Sequence, residues 1–137
     1  MSVDNFVFLR CDRLPTRESL QSALDAAQTG ITLDPIKDLR AHSGYWPAKF
    51  KGHESGFEWM FGPIADTFGE KLDNIGDRDS AVVFSTFSDI RELACALYVA
   101  GTLAKISDGL VYDEEVGDVT TSENMLDAAR EIEENEL

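Results

Sequence analysis

The stretch from Ser80 to Thr120 constrains the fold more than any other part of the chain. It opens on Ala81-Val82-Val83-Phe84-Ser85-Thr86-Phe87, a β-branched and aromatic run that follows the polar turn GDRDS. That composition suits a buried or half-buried strand. Ser88 or Asp89 then offers a side-chain oxygen to the free N–H groups of a helix start, and Glu92 lies at capping-box spacing from Asp89. Ile90, Leu93, Ala94, Leu97, Tyr98, Gly101 and Ala104 fall on one stripe, and Cys95, Val99, Leu103 and Ile106 add apolar groups on neighbouring faces. Only Arg91, Glu92 and Lys105 are charged between Ile90 and Ile106. A helix this apolar packs on more than one side, so it is expected to be the central helix. Asp108-Gly109 is expected to end it, with glycine taking a left-handed backbone. Leu110-Val111-Tyr112 reads as a short strand, followed at once by Asp113, Glu114, Glu115 and Asp118. The unit is therefore a greasy strand–helix–strand that delivers carboxylates to the surface.

The rest of the chain adds layers to this unit. Asn5 to Leu9 reads as a strand, and Thr16 caps a helix whose stripe is Leu20, Ala23, Leu24 and Ala27. Thr32-Leu33-Asp34-Pro35 reads as a loop, because the residue before proline avoids helical geometry. Tyr45 to Lys51 and Phe57 to Phe61 form a hairpin around a Gly52–Gly56 turn, with Phe57, Trp59 and Phe61 on a core face and Glu58 and Met60 on the other. Tyr45 and Trp46, next to Pro47, are candidate aromatic anchors for a partner. Ile64 to Ile75 has spacing for one or two helical turns, weakened by Gly69. Val116 to Thr120 suits a hairpin return, and Thr120 or Ser122 caps a last helix with Met125, Leu126, Ala129 and Ile132 as its stripe. Residues 131–137 are expected to fray, since their like charges oppose a stable helix. The fold class is α+β: a single domain over 1–137, with a single-layer sheet, mixed or mostly antiparallel, packed against helices.

Charge narrows the function classes. The net charge is −14, and from Asp108 onward eleven acidic residues face Arg130 alone, leaving −4 on the first 107 residues. Such a surface repels nucleic acid and anionic membrane and speeds encounter with a basic protein. No apolar run is long enough for a membrane span, and MSVDNF lacks the pattern of a signal peptide, so the expectation is a cytoplasmic protein. Two cysteines, Cys11 and Cys95, fit reduced, packed thiols.

No catalytic signature accompanies this. His42 and His53 are the only histidines, and no His-x-x-x-His or Cys-x-x-Cys pair is present, so no metal site is expected. Neither Asp73, Asp77 and Asp79 nor the run from Asp113 to Asp118 has the spacing of a calcium loop. Nucleophile elbows, Walker loops and dinucleotide fingerprints are absent. Cys11 with either histidine lacks any local signature of a Cys–His pair. No catalytic residues and no cofactor are assigned, and the chain is read as a binding module rather than an enzyme.

The runs GFEWMFGPI, VVFSTFSDIRELACALYVAGTLAKISDG and LVYDEEVGDVTTSENMLDAAR together resemble the small immunity proteins of bacterial polymorphic-toxin systems, which accompany contact-dependent or type VI secretion effectors. The likeness covers roughly Gly56 to Arg130. It lies in the order of elements: a Gly-Phe-Glu strand, an alanine-rich helix, a strand ending in an acidic turn with glycine, and a capped last helix. The resemblance implies tight binding to a cognate toxin domain, basic and in many cases a nuclease, by direct protein contact, without nucleic acid or membrane as partner. On that reading Asp113, Glu114, Glu115 and Asp118 form a charged rim and Tyr45 and Trp46 are anchors. Nothing in the sequence supports a homo-oligomer. Two other classes compete: an acidic DNA mimic or regulator, which wants carboxylates spaced along an extended face, and a small enzyme, which wants a deep polar pocket with a shifted His or Cys.

Overall fold

A computed structural model describes residues 2–137. Its elements run β1 (Val3–Leu9), a 3-10 turn (Cys11–Arg13), α1 (Arg17–Ala26), β2 (Ile31–Leu33), β3 (Ser43–Phe50), β4 (His53–Pro63), α2 (Ile64–Thr67), β5 (Ser80–Thr86), α3 (Ile90–Ile106), β6 (Leu110–Asp113), β7 (Asp118–Thr120) and α4 (Ser122–Glu136). The strands form one seven-stranded sheet in the order β2-β3-β4-β5-β1-β6-β7. Every neighbouring pair is antiparallel. The fold is α+β, as the order of elements predicts.

The strand–helix–strand unit forms with an insertion that local patterning does not announce. β5 and β6 are each antiparallel to β1, so they run parallel to one another with β1 threaded between them. Parallel strands need a long crossover, and the 17-residue α3 supplies it. Asp89 caps α3 by accepting a hydrogen bond from the Glu92 backbone N–H at 3.0 Å. From Ala94 to Ala104 every residue of α3 is buried, because the helix packs on β1, β4 and β5 beneath it and on α1 and α4 beside it. Thr16 likewise caps α1, accepting from the Ser19 backbone N–H.

Alternation divides each strand between two environments. Val7 and Leu9 of β1, Val82 and Phe84 of β5, Phe57 and Trp59 of β4, and Trp46, Ala48 and Phe50 of β3 join Leu20, Leu24 and the α3 residues in one core. On the opposite, outer face Phe6, Phe8 and Tyr112 gather around Phe68, with edge-on or tilted rings 4.9–5.2 Å from Phe68. This aromatic group covers only the β1–β6 part of the outer face. Beyond it α2 packs against β4 and β5, while Tyr45, Met60 and Phe87 stay exposed.

Two close approaches explain glycines in the α3 region. A Cβ on Gly109 would sit 2.9 Å from the Phe8 carbonyl oxygen, so glycine is required there by β1. The left-handed residue that ends α3 is instead Asp108, at φ 55°, and not Gly109 as expected. On Gly101 a Cβ would fall 2.7 Å from both Cγ and Cδ2 of Leu126 and 3.3 Å from its backbone nitrogen, which marks the point where α4 crosses α3. Gly101→Ala is a helix-favouring change worth about 1 kcal/mol, yet overpacking costs about 1–3 kcal/mol. The substitution is therefore expected to lower the thermal midpoint, and a rise would show that α4 gives way freely.

Several boundaries differ from the sequence expectation. Ile31–Leu33 is strand β2, paired with Ala48–Phe50, where a loop starting at Thr32 was expected. The β3–β4 turn is only Lys51-Gly52, with φ of 51° and 82°, since Phe50 pairs with His53. Two successive left-handed residues match the right-handed twist of a hairpin, and that tight turn carries the strand through Gly56. After α2 the chain to Asp79 is irregular instead of a second helical turn. Thr121 is the N-cap residue of α4, without a side-chain cap bond, in place of Thr120 or Ser122. α4 also continues helical to Glu136, through the part expected to fray.

Candidate functional site

The acidic residues after α3 lie on a tight hairpin. Asp113 pairs with Asp118 across β6 and β7, and the Gly117 backbone N–H donates to the Asp113 carbonyl at 2.9 Å. Each aspartate carboxylate is held by a nearby backbone donor, Asp113 by the Glu115 N–H at 3.0 Å and Asp118 by the Val119 N–H at 2.7 Å. Glu114 and Glu115 between them are exposed.

β6 pairs with β1 only at Val7 and Phe8, so the first half of β1 has no strand on that side. The gap is a cleft of about 420 Å³ between β1, the hairpin and α4. Asp113, Glu114 and Glu115 line one side and Asp127 and Glu131 of α4 another, with Asp4 of β1 between. Among the described residues no lysine or arginine lines it. Among these six acidic residues only Asp127 has a salt-bridge partner within the described residues, Arg130 at 2.8 Å, and the Asp4 carboxylate turns to the Ser85 hydroxyl on the outer face. Val3, Leu97, Met125 and Ala128 give the cleft an apolar component, and Asn5, whose Nδ2 has no hydrogen-bond partner among the described residues, also lines it.

Three of the four acidic residues singled out by sequence thus converge, and the fold brings Asp4, Asp127 and Glu131 to join them. Asp118 does not line the cleft. Tyr45 is 45% exposed, but it sits on β3, four strands from β6, about 19 Å away at ordinary strand spacing. Its hydroxyl donates to the Glu92 carboxylate at 2.6 Å and contacts the Ser55 carbonyl at 3.0 Å. Burial, and then Glu92, push the phenol pKa above its ordinary value. Trp46 is a correction. It is fully buried, edge-on to Trp59 at 5.2 Å, and its Nε1–H donates to the Asp34 carbonyl at 2.9 Å. Its face is core, so it is not available as an anchor.

Sequence reasoning missed the α4 contribution, although the signal was there. Asn124, Asp127, Ala128 and Glu131 form their own i, i+3, i+4, i+7 stripe beside the apolar one. Asp4 had no such signal, because only the sheet order places it near the hairpin.

The polar chemistry elsewhere is structural. Cys95 is buried, and burial raises its thiol to about 12, so it is poorly suited to nucleophilic attack. Cys11 is exposed, contrary to expectation, and its sulfur accepts from Arg40 Nη1 at 2.8 Å. Among the described residues no group of three or more His, Cys, Asp or Glu side chains is placed to hold a metal ion. No helix among them is long and apolar enough to cross a membrane.

Glu133 fastens the end of α4. It pairs with Lys51 of the β3–β4 turn and accepts from the Tyr98 hydroxyl at 2.6 Å. Burial alone would raise its pKa, but the hydrogen bonds from Lys51 and Tyr98 outweigh burial and lower it below the ordinary 4.5. A carboxylate with a depressed folded pKa stabilises above its unfolded pKa, and that contribution is lost as pH falls through the folded value. Glu133→Gln is expected to cost about 1 kcal/mol at pH 7. Urea midpoints of the two proteins should converge in acid below pH 4.5, and a gap that stays constant there would remove Glu133 from this role.

The sequence matches no family model, and no curated protein matches it.

Proposed function

We propose that this chain is an immunity protein: a non-catalytic, cytoplasmic inhibitor that binds and neutralises a basic bacterial toxin domain. The observation that carries this reading is the cleft between β1, the hairpin and α4, lined by six acidic residues and, among the described residues, by no lysine or arginine. Crowded like charges destabilise a free surface and become favourable when lysines and arginines of a partner enter among them. Val3, Leu97, Met125 and Ala128 supply the apolar floor that a desolvated interface needs. The resemblance over Gly56 to Arg130 supports the same class. A DNA mimic is less well supported, because the carboxylates crowd into one cleft and are not spaced along a face.

Co-expression tests it. The toxin domain encoded by the adjacent gene should arrest growth alone, and growth should return when this chain is present. The two proteins should also co-purify at low salt. Toxicity that persists at equal expression, with no complex recovered, would remove the proposal.

A further inference from the structure

Two large apolar side chains, Met60 and Phe87, lie exposed on the sheet's outer face among acidic and hydroxyl groups. An antiparallel sheet with one solvated face normally places polar side chains there. Here the register sets Met60 of β4 beside Val83 of β5, with Glu58 opposite Ser85 and Ser85 opposite Asp4 one rung away. Phe87 follows at the end of β5. Met60 is 38% and Phe87 55% exposed, and both line a shallow groove of about 370 Å³. Its charged lining residues, Asp4 and Glu58, are both acidic, and neither has a salt-bridge partner among the described residues. Among the described residues the Asp4 carboxylate accepts only from the Ser85 hydroxyl, at 2.7 Å.

We infer that this groove is a second docking surface, occupied by a segment of the same basic protein that carries lysine or arginine beside apolar side chains. The inference rests on the proposed function and names where its partner sits. Charge decides the occupant. A second copy of this chain would set Asp4 and Glu58 against their own like charges in a molecule of net charge −14. A cationic segment would meet those carboxylates while burying Met60 and Phe87. The grooves are also continuous, because Asp4 lines both this face and the cleft by the hairpin. From β4 to β6 is three strand spacings, about 14 Å. One partner covering about 800 Å² would reach both.

The test uses the full ¹⁵N-labelled chain and two ten-residue synthetic peptides at low salt, one alternating lysine and leucine, the other all lysine. The alternating peptide should shift the amides of Met60, Val83, Ser85 and Phe87 and bind at least tenfold more tightly than oligolysine. The double variant Met60→Ser, Phe87→Ser should abolish most of that tenfold preference and leave oligolysine binding unchanged. Glu58→Gln, which keeps both apolar side chains, should weaken both peptides. Equal affinity for the two peptides, or shifts confined to the hairpin and α4, would overturn the groove while leaving the cleft as the partner site. Failure of both peptides to bind would overturn the groove together with the basic-partner reading. Sedimentation of the chain alone as a dimer that the double variant disperses would make a second copy the occupant and overturn the inference.

Discussion

Trp46→Ala is expected to cost about 3–5 kcal/mol, as truncation of a buried tryptophan does. The indole is wholly enclosed, packs edge-on to Trp59 at 5.2 Å and lies 5.7 Å from Phe57. Truncation removes both aromatic contacts, opens a cavity where β3 meets β4, and leaves the Asp34 carbonyl without its 2.9 Å donor. A domain of this size has a total stability of about 5–15 kcal/mol, so the variant would be marginal. In a urea titration the midpoint should fall steeply with little change in slope. Were Trp46 a surface anchor, stability would move by no more than about 0.5 kcal/mol. That smaller result would place Trp46 at the surface. The alternation of Trp46, Ala48 and Phe50 with Tyr45, Pro47 and Lys49 already contained the answer, since a strand cannot send Tyr45 and Trp46 to the same face.

Reversing Glu114, Glu115 and Glu131 together to lysine should slow association with a basic toxin domain roughly 10–100-fold at low ionic strength. These three side chains are exposed and have no salt-bridge partners among the described residues, so the fold does not depend on them. The triple change takes the net charge from −14 to −8, which relieves self-repulsion, and the thermal midpoint should hold or rise. Dissociation should change less than association, because steering acts before contact. The difference from the unaltered protein should shrink at physiological salt, where charges more than about 8 Å apart are screened. Stopped-flow mixing at two salt concentrations reads both effects. An association rate that ignores the triple reversal would take the hairpin and α4 out of the interface.

The hairpin's share of the cleft was legible in advance for a local reason. Asp113, Glu114 and Glu115 follow directly on a short strand, and a turn closed by Gly117 must leave them at the surface. Asp127 and Glu131 were legible in principle as a helical stripe, but nothing within α4 says which neighbour that stripe faces. The same limit applies to Met60: alternation puts it on the face opposite Trp59, and only the folded sheet shows that it stays exposed there.

What the sequence determined by itself is local. The Asp89 and Thr16 caps, the all-round apolar α3 and the alternation of β4 depend on residues no more than a few positions apart, where periodicity and hydrogen-bond reach act directly. The tertiary structure alone decided that β1 passes between β5 and β6, that β2 pairs at the far edge, and that Asp4 meets the hairpin. Those choices join residues up to about a hundred positions apart. They follow from which strands bury the most apolar surface beneath α3, a comparison among whole packings that no short stretch of sequence encodes.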